Sequence, residues 1–260
     1  MTSSAPTRRV ILLGASNLTR SFSTVVATLR QTWSEPIEIM VAMGHGRSYG
    51  QESLVLGRKI SGIFPCALWQ DLQKRAKLPT TALVTDIGND LLYGTTPDRL
   101  LEWVERCLDQ LATAGAATIV TQMPIGSIEG LGERRFQFFR RLFFPRSTLT
   151  SADAKRLVRE TSERLVAVGE SRKLPIIPVS PSWYGLDPIH LTWRAKREAW
   201  STLLANWRSE NEPLAVPRPS MWTAAYLAAL APLERSRFGI ERRTTQPCGR
   251  FSDGTTVSLY

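Results

Sequence analysis

Five short apolar runs punctuate the chain: Arg9–Leu13, Ile37–Ala42, Thr81–Asp86, Ala117–Met123 and Pro175–Val179. Each is continuous rather than alternating, as in strands buried on both faces of a parallel sheet. Between them, apolar residues recur at helical spacing. Thr96-Pro97 predicts a helix start and Gly115 its end, with Leu100, Val104, Cys107, Leu108 and Leu111 as the buried stripe. Thr150 followed by Asp153 predicts a second helix, with Leu157, Thr161, Leu165 and Val168 inward. Thr192 predicts the cap of a third, with Ala199, Trp200, Leu203 and Trp207 as its apolar positions. Strands alternating with helices predict an α/β fold: a three-layer α/β/α sandwich with right-handed crossovers. In such a sheet ligands bind beyond the carboxyl ends of the strands.

Residues 1–210 read as this α/β domain and 211–260 as a C-terminal appendage. Pro213, Pro217 and Pro219 mark a linker, Ser220–Leu230 a short helix, and Asp253-Gly254 the turn of a β-hairpin. One further helix, over Glu133–Phe144, places Phe136, Phe138, Phe139, Leu142 and Phe143 on one broad face. It reads either as an ordinary helix packed on the sheet, as a lid, or as a foot on an anionic membrane.

The 260 residues suffice for one large domain with an appendage. No apolar run approaches the roughly 20 residues of a spanning helix, and Val10–Leu13 is too short for a secretory core. Cys66, Cys107 and Cys248 show no paired spacing, which makes a reducing cytoplasm the default location. With two histidines in the chain, no metal-site motif exists, and no metal or organic cofactor is expected. The net charge of +10 fits either a solvated basic surface or affinity for nucleic acid, anionic lipid or an acidic substrate. No nucleic-acid recognition motif is present, so nucleic acid is not the expected partner.

The candidate chemistry gathers at predicted strand ends. Asp187 stands three places before His190, a spacing that lets a carboxylate orient an imidazole. Gly14-Ala15-Ser16-Asn17 follows the first strand, Gly44-His45-Gly46-Arg47-Ser48 the second, and Gly88-Asn89-Asp90 the third. A serine, glycines, an asparagine and a histidine on one rim have the makings of an acyl-transfer site. Each also has a plain structural reading. Ser16 or Asn17 caps a helix, Gly44 and Gly46 make turns, Asn89 bonds its own loop, Asp187 leads a helix, and His190 is packed.

These four blocks, in this order, resemble the SGNH (GDSL-like) hydrolase family over about residues 9–208. Asp187–His190 matches the family's Asp-x-x-His in full. Ala15 departs from the usual Asp, Ile87 stands where a Gly is usual, and two glycines compete for one role. The resemblance implies five parallel strands in the flavodoxin-like order 2-1-3-4-5. It implies an esterase whose nucleophile is Ser16, base His190 and orienting acid Asp187. Its oxyanion hole would comprise the Ser16 N–H, the Gly46 N–H and the Asn89 amide. His45 and Arg47 are further candidates for substrate contact. The expected partner is a small-molecule or lipid ester, with peripheral contact to anionic membrane as an added option. An acyltransferase using the same triad is one alternative. A non-catalytic anion- or membrane-binding protein is the other.

Overall fold

The computed structural model describes residues 5–55, 57–207 and 214–260. In chain order the elements begin with β1 (Arg8–Leu13), α1 (Ser16–Thr32), β2 (Ile37–Ala42), β3 (Ser53–Val55) and β4 (Arg58–Ile60). They continue with α2 (Leu68–Lys74), β5 (Thr80–Val84), α3 (Asn89–Leu92), α4 (Pro97–Thr113) and β6 (Ala117–Thr121). Next come α5 (Ile125–Glu129), α6 (Glu133–Phe143), α7 (Ser151–Arg172), β7 (Ile176–Ile177) and α8 (Lys196–Ala205). The tail adds α9 (Met221–Ala229), β8 (Glu234–Arg237), β9 (Ile240–Arg243), β10 (Gly249–Arg250) and β11 (Thr256–Leu259).

The main sheet has seven strands, ordered β10-β11-β2-β1-β5-β6-β7. This corrects the expected five-stranded sheet and its order. The five anticipated strands keep their relative places, β2-β1-β5-β6-β7, and pair in parallel. The two extra strands come from the tail. Its hairpin pairs Gly249 with Val257, and β11 then runs parallel to β2, from Thr256 beside Glu38 to Leu259 beside Val41. The physical reason lies in β2, which is buried along its whole length. Left at an edge, it would present a row of unpaired backbone groups inside the protein. The anticipated tail helix appears as α9. Pro213, and with it the start of the anticipated linker, lies outside the described residues.

Successive strand residues point to opposite faces, and each face has its own core. Val10, Leu12, Ile39, Val41 and Leu83 pack with Leu18, Phe22 and Val25 of α1 and Trp200 and Leu203 of α8. Ile11, Leu13, Met40, Ala82 and Val84 pack with Leu100, Val104 and Leu111 of α4 and Leu165 of α7. Two apolar layers around one sheet make the three-layer architecture. At about 1.5–3 kcal/mol per buried aliphatic side chain, these cores hold the strand ends in fixed relation.

The helix caps fall close to where the sequence places them. Thr96 accepts the Arg99 N–H and Thr150 the Asp153 N–H. α8 starts at Lys196, later than Thr192 predicts, because residues 193–195 form a separate turn whose Ala195 N–H bonds to the Thr192 hydroxyl. A second sheet, β3-β4-β8-β9, is antiparallel throughout. Its β8–β9 hairpin turns at Phe238 and Gly239, both with positive φ (49° and 79°), as a two-residue turn of matching twist requires. No described helix is long and apolar enough to cross a membrane.

Candidate active site

Ser16 is the first residue of α1, directly beyond the carboxyl end of β1. The residue before it, Ala15, supplies no side-chain cap. Asp86, beyond the end of β5, supplies one from across the sheet. Its Oδ2 accepts the N–H groups of Ala15 (2.9 Å), Asn17 (3.0 Å) and Leu18 (3.1 Å), and Oδ1 accepts the Asn17 amide (2.9 Å). The backbone at Asp86 is left-handed, φ 58°, a conformation that Asp tolerates better than most residues. A carboxylate at the positive end of a helix is favoured electrostatically. So the carboxylate absent at position 15 is replaced by one on a neighbouring strand end. Asp86 takes the N–H groups on either side of Ser16. The Ser16 N–H itself has no acceptor among the described residues.

His190 comes to Ser16 from 174 residues away in the sequence, its Nε2 2.9 Å from the Ser16 Oγ. Its Nδ1 lies 2.6 Å from Asp187 Oδ2. A carboxylate accepts only, so this contact puts the ring proton on Nδ1 and leaves Nε2 free to accept the serine proton. The other Asp187 oxygen accepts the N–H groups of Ile189 (3.1 Å) and His190 (3.2 Å). Asn17 ties the two segments together. Its amide donates to the Ile189 carbonyl at 2.9 Å and its oxygen accepts the Leu191 N–H at 2.8 Å.

Burial acts to raise the Asp187 pKa, but the His190 hydrogen bond and charge and the two N–H donors outweigh it, so the carboxyl sits below its ordinary value. The sign follows from proton linkage. A depressed folded-state pKa stabilises the fold above the unfolded value, about 3.9, and that stability is lost as pH falls through the folded value. The melting-temperature gap between the native protein and Asp187→Asn is therefore expected to narrow as pH falls below about 5 and through the depressed folded value. A gap independent of pH in thermal scans would contradict the ion pair.

Asn89 opens α3 after Gly88, whose φ of 139° suits glycine alone. The Asn89 amide donates to the Arg47 carbonyl at 3.1 Å. Gly46 has φ 63°, and a Cβ there would meet the Tyr93 hydroxyl at 2.8 Å. That hydroxyl donates to the Gly46 carbonyl at 2.6 Å. Burial and then the Asp90 charge push the Tyr93 pKa up to about 12, so the donor stays protonated. Asp90 anchors the same loop, accepting from the Ser48 hydroxyl and, at 3.0 Å, from the Tyr49 N–H. Burial raises its pKa against those bonds.

Ser16 and Asn89 line one cavity of about 110 Å³; Gly46 is not part of its lining. Arg47, a candidate for substrate contact, is buried, and its guanidinium donates to the carbonyls of Ser61 (3.0 Å), Met43 (3.2 Å) and Tyr260. A buried charge needs such partners, and Arg47 also borders a second groove. His45 is exposed and faces away from the cavity into that groove. Its pKa is held down by burial, then by His190, Arg20 and Arg58.

The cavity wall is apolar, with Ile87, Met123 and Trp200 from the core and Phe136, Phe139 and Phe143 from α6. α6 is therefore a cover over this cavity. Its five apolar residues span one broad arc of about 160°, of which only one side is covered. At 100° per residue, positions 136, 139 and 143 form one stripe and 138 and 142 another. Phe138 (61 %) and Leu142 (59 %) are exposed accordingly. Phe143 meets the His190 ring edge-on, centroids 5.1 Å apart. Arg135 donates to the Leu186 carbonyl at 2.6 Å, fastening the cover to the Asp187 loop. Among the described residues no cluster of His, Cys, Asp and Glu is arranged to hold a metal ion.

No protein-family model matches the sequence, and no curated protein matches it either. Solved structures do. A Bacteroides fragilis protein described as an acylhydrolase is 13% identical, covers 79% of this chain and 90% of its own, and superposes with a TM-score of 0.51. An acetyl xylan esterase is 10% identical, covers 76% of this chain and 98% of its own, with a TM-score of 0.50. The likeness shows the fold. This chain shares the α/β fold of these two structures.

Proposed function

We propose that the protein is a serine esterase that hydrolyses carboxylic esters. The observation that carries this is the relay from Ser16 Oγ through His190 to Asp187, opening on an apolar cavity. Ser16 Oγ attacks the acyl carbonyl while His190 Nε2 takes its proton. Asp187 holds the imidazolium that results. The tetrahedral intermediate places its oxyanion against the Ser16 N–H and the Asn89 amide, with the Gly46 N–H as third donor. One such donor is worth about 100- to 1000-fold in turnover. His190 then protonates the leaving alcohol. Water, deprotonated by the same nitrogen, attacks the acyl-enzyme, and Ser16 leaves with the proton.

The acyl group lies in the cavity under α6. A serine-reactive fluorophosphonate is expected to label the native protein once, on the peptide containing Ser16. Absence of labelling, or a label mapped elsewhere, would remove the nucleophile and with it the proposal.

A further inference from the structure

The small sheet sets arginine against arginine. Arg58 of β4 stands directly opposite Arg237 of β8, and Arg235 of β8 opposite Arg242 of β9. Paired residues, and residues two apart on one strand, share a face. All four arginines therefore project to one side. Like charges directly opposite destabilise a sheet. The carboxylates of this sheet do not relieve them: Glu234 and Glu241 alternate to the other face. Glu52 and Glu234 are spent there on Lys59 (3.0 Å) and Arg243 (2.7 Å). Among the described residues, Arg20, Arg58, Arg235 and Arg237 make no ion pair. Burial, then Arg235 and Arg237, hold the Arg58 pKa down.

The arginine face turns toward the active rim. It also carries Val55 and Ile60, which lie so close that a Cβ on Gly46 would come within 2.9 Å of Val55 and one on Gly44 within 3.2 Å of Ile60. Between this face and α1 runs a groove of about 860 Å³, lined beside His45 by seven cationic side chains, among them Arg20, Arg58, Arg235 and Arg242, and by three carboxylates, Glu52, Glu234 and Glu241. Arg20 is four residues after Ser16 on α1, one helical turn away. Ser16 lines the first of two unlike compartments, and the second begins a helical turn further along α1, at Thr19 and Arg20. One is apolar and covered by α6; the other is open and cationic.

We infer that the groove receives an anionic group on the alcohol portion of the substrate, making the substrate an acyl ester of a phosphorylated, sulfated or carboxylated alcohol. This rests on the esterase reading and adds the substrate class to it. The acyl side suits the charge less, because the cavity under α6 is lined mainly by apolar side chains, and Arg140, the one cation among its lining residues, already donates to Gln137. In the groove an oxyanion would neutralise the opposed arginines and stay partly hydrated, an arrangement in which guanidinium pairs well with oxyacids.

The test compares two acetate esters that differ in the alcohol, 4-acetoxybenzenesulfonate and neutral 4-nitrophenyl acetate. Their intrinsic reactivities cancel when the ratio of kcat/KM values is compared between proteins. In Arg58→Gln/Arg235→Gln the ratio is expected to fall about tenfold in favour of the neutral ester. In the native protein it is expected to fall comparably on raising salt from about 20 mM to about 500 mM, which needs no variant to fold. A ratio unmoved by both overturns the groove assignment while leaving the esterase standing. Separately, Ser16→Ala protein is expected to bind 4-hydroxybenzenesulfonate in calorimetry, and to lose that binding when both arginines are replaced. Such binding together with no turnover of either ester would keep the groove and overturn the esterase reading. Binding to phosphatidylserine vesicles that disappears in the double variant, with the ester ratio unchanged, would assign the arginines to a membrane and overturn the proposal.

Discussion

Replacing Ser16 or His190 by alanine is expected to lower kcat for a simple aryl ester by about 10⁴-fold or more, and the double variant by no more than either alone. The two residues act as one unit. Without the imidazole, the hydroxyl keeps its proton at neutral pH and is a poor nucleophile; without the hydroxyl, the imidazole has nothing to activate. In the proposed mechanism the proton moves across the 2.9 Å contact between them. What survives is the catalysis that comes from holding an ester beside oxyanion donors. Neither change threatens the fold. Ser16 is one of several residues at a helix start that Asp86 holds by its neighbours' N–H groups, and the Asn17 bonds still pin the Ile189 and Leu191 backbone. Matching melting temperatures would establish that the losses are chemical. Activity retained in pure Ser16→Ala protein would refute the nucleophile.

The elements that the sequence announces are those whose signal is local. β1, β2, β5 and β6 are apolar end to end because both faces are buried, and such runs need no partner to be recognised. The proposed triad is legible for a related reason. Asp187 and His190 are neighbours in the chain, and Ser16 ends a strand that the run from Arg9 already defines. Non-local decisions are not legible. Thr256–Leu259 carries no mark that says it pairs with β2, whose position in the chain is more than 200 residues earlier. Arg47 has the composition of a surface residue. It is buried only because three carbonyls from separate segments converge on it. In α6 the composition is plain, but the phase is not. Five apolar residues span one broad face, and only the cavity beneath decides which three turn inward.

Asp86 is the residue that sequence reasoning misses, and its removal is expected to have the next largest effect. It is 71 residues from Ala15, and nothing in that spacing announces a helix cap. The one available signal is the absence of an acid at position 15, combined with an acid at the end of the adjacent strand. Asp86→Ala deletes an acceptor that serves three backbone N–H groups and the Asn17 amide. Loss of a cap costs about 1–2 kcal/mol, and loss of a negative charge at the helix start up to about 1 more. The expected destabilisation is therefore about 1–3 kcal/mol, or roughly 3–10 °C in melting temperature for a chain of this size.

Activity is expected to fall further than stability alone explains. Asn17 would lose one of the partners that hold it between the serine and histidine segments, and a displacement near 1 Å at the nucleophile costs about 100-fold. The loss should appear in kcat and in the rate of fluorophosphonate labelling, with little change in KM, since Asp86 contributes through Ser16 and not through substrate binding. Asp86→Asn is the informative control, because Asn tolerates the left-handed backbone and so separates charge from strain. It keeps one oxygen for the three N–H groups but turns its NH₂ toward the Asn17 amide, donor against donor. An intermediate kcat is expected for it, with most of the stability retained. Native kcat in Asp86→Ala at a temperature where the protein is folded would show that the serine is positioned without this carboxylate.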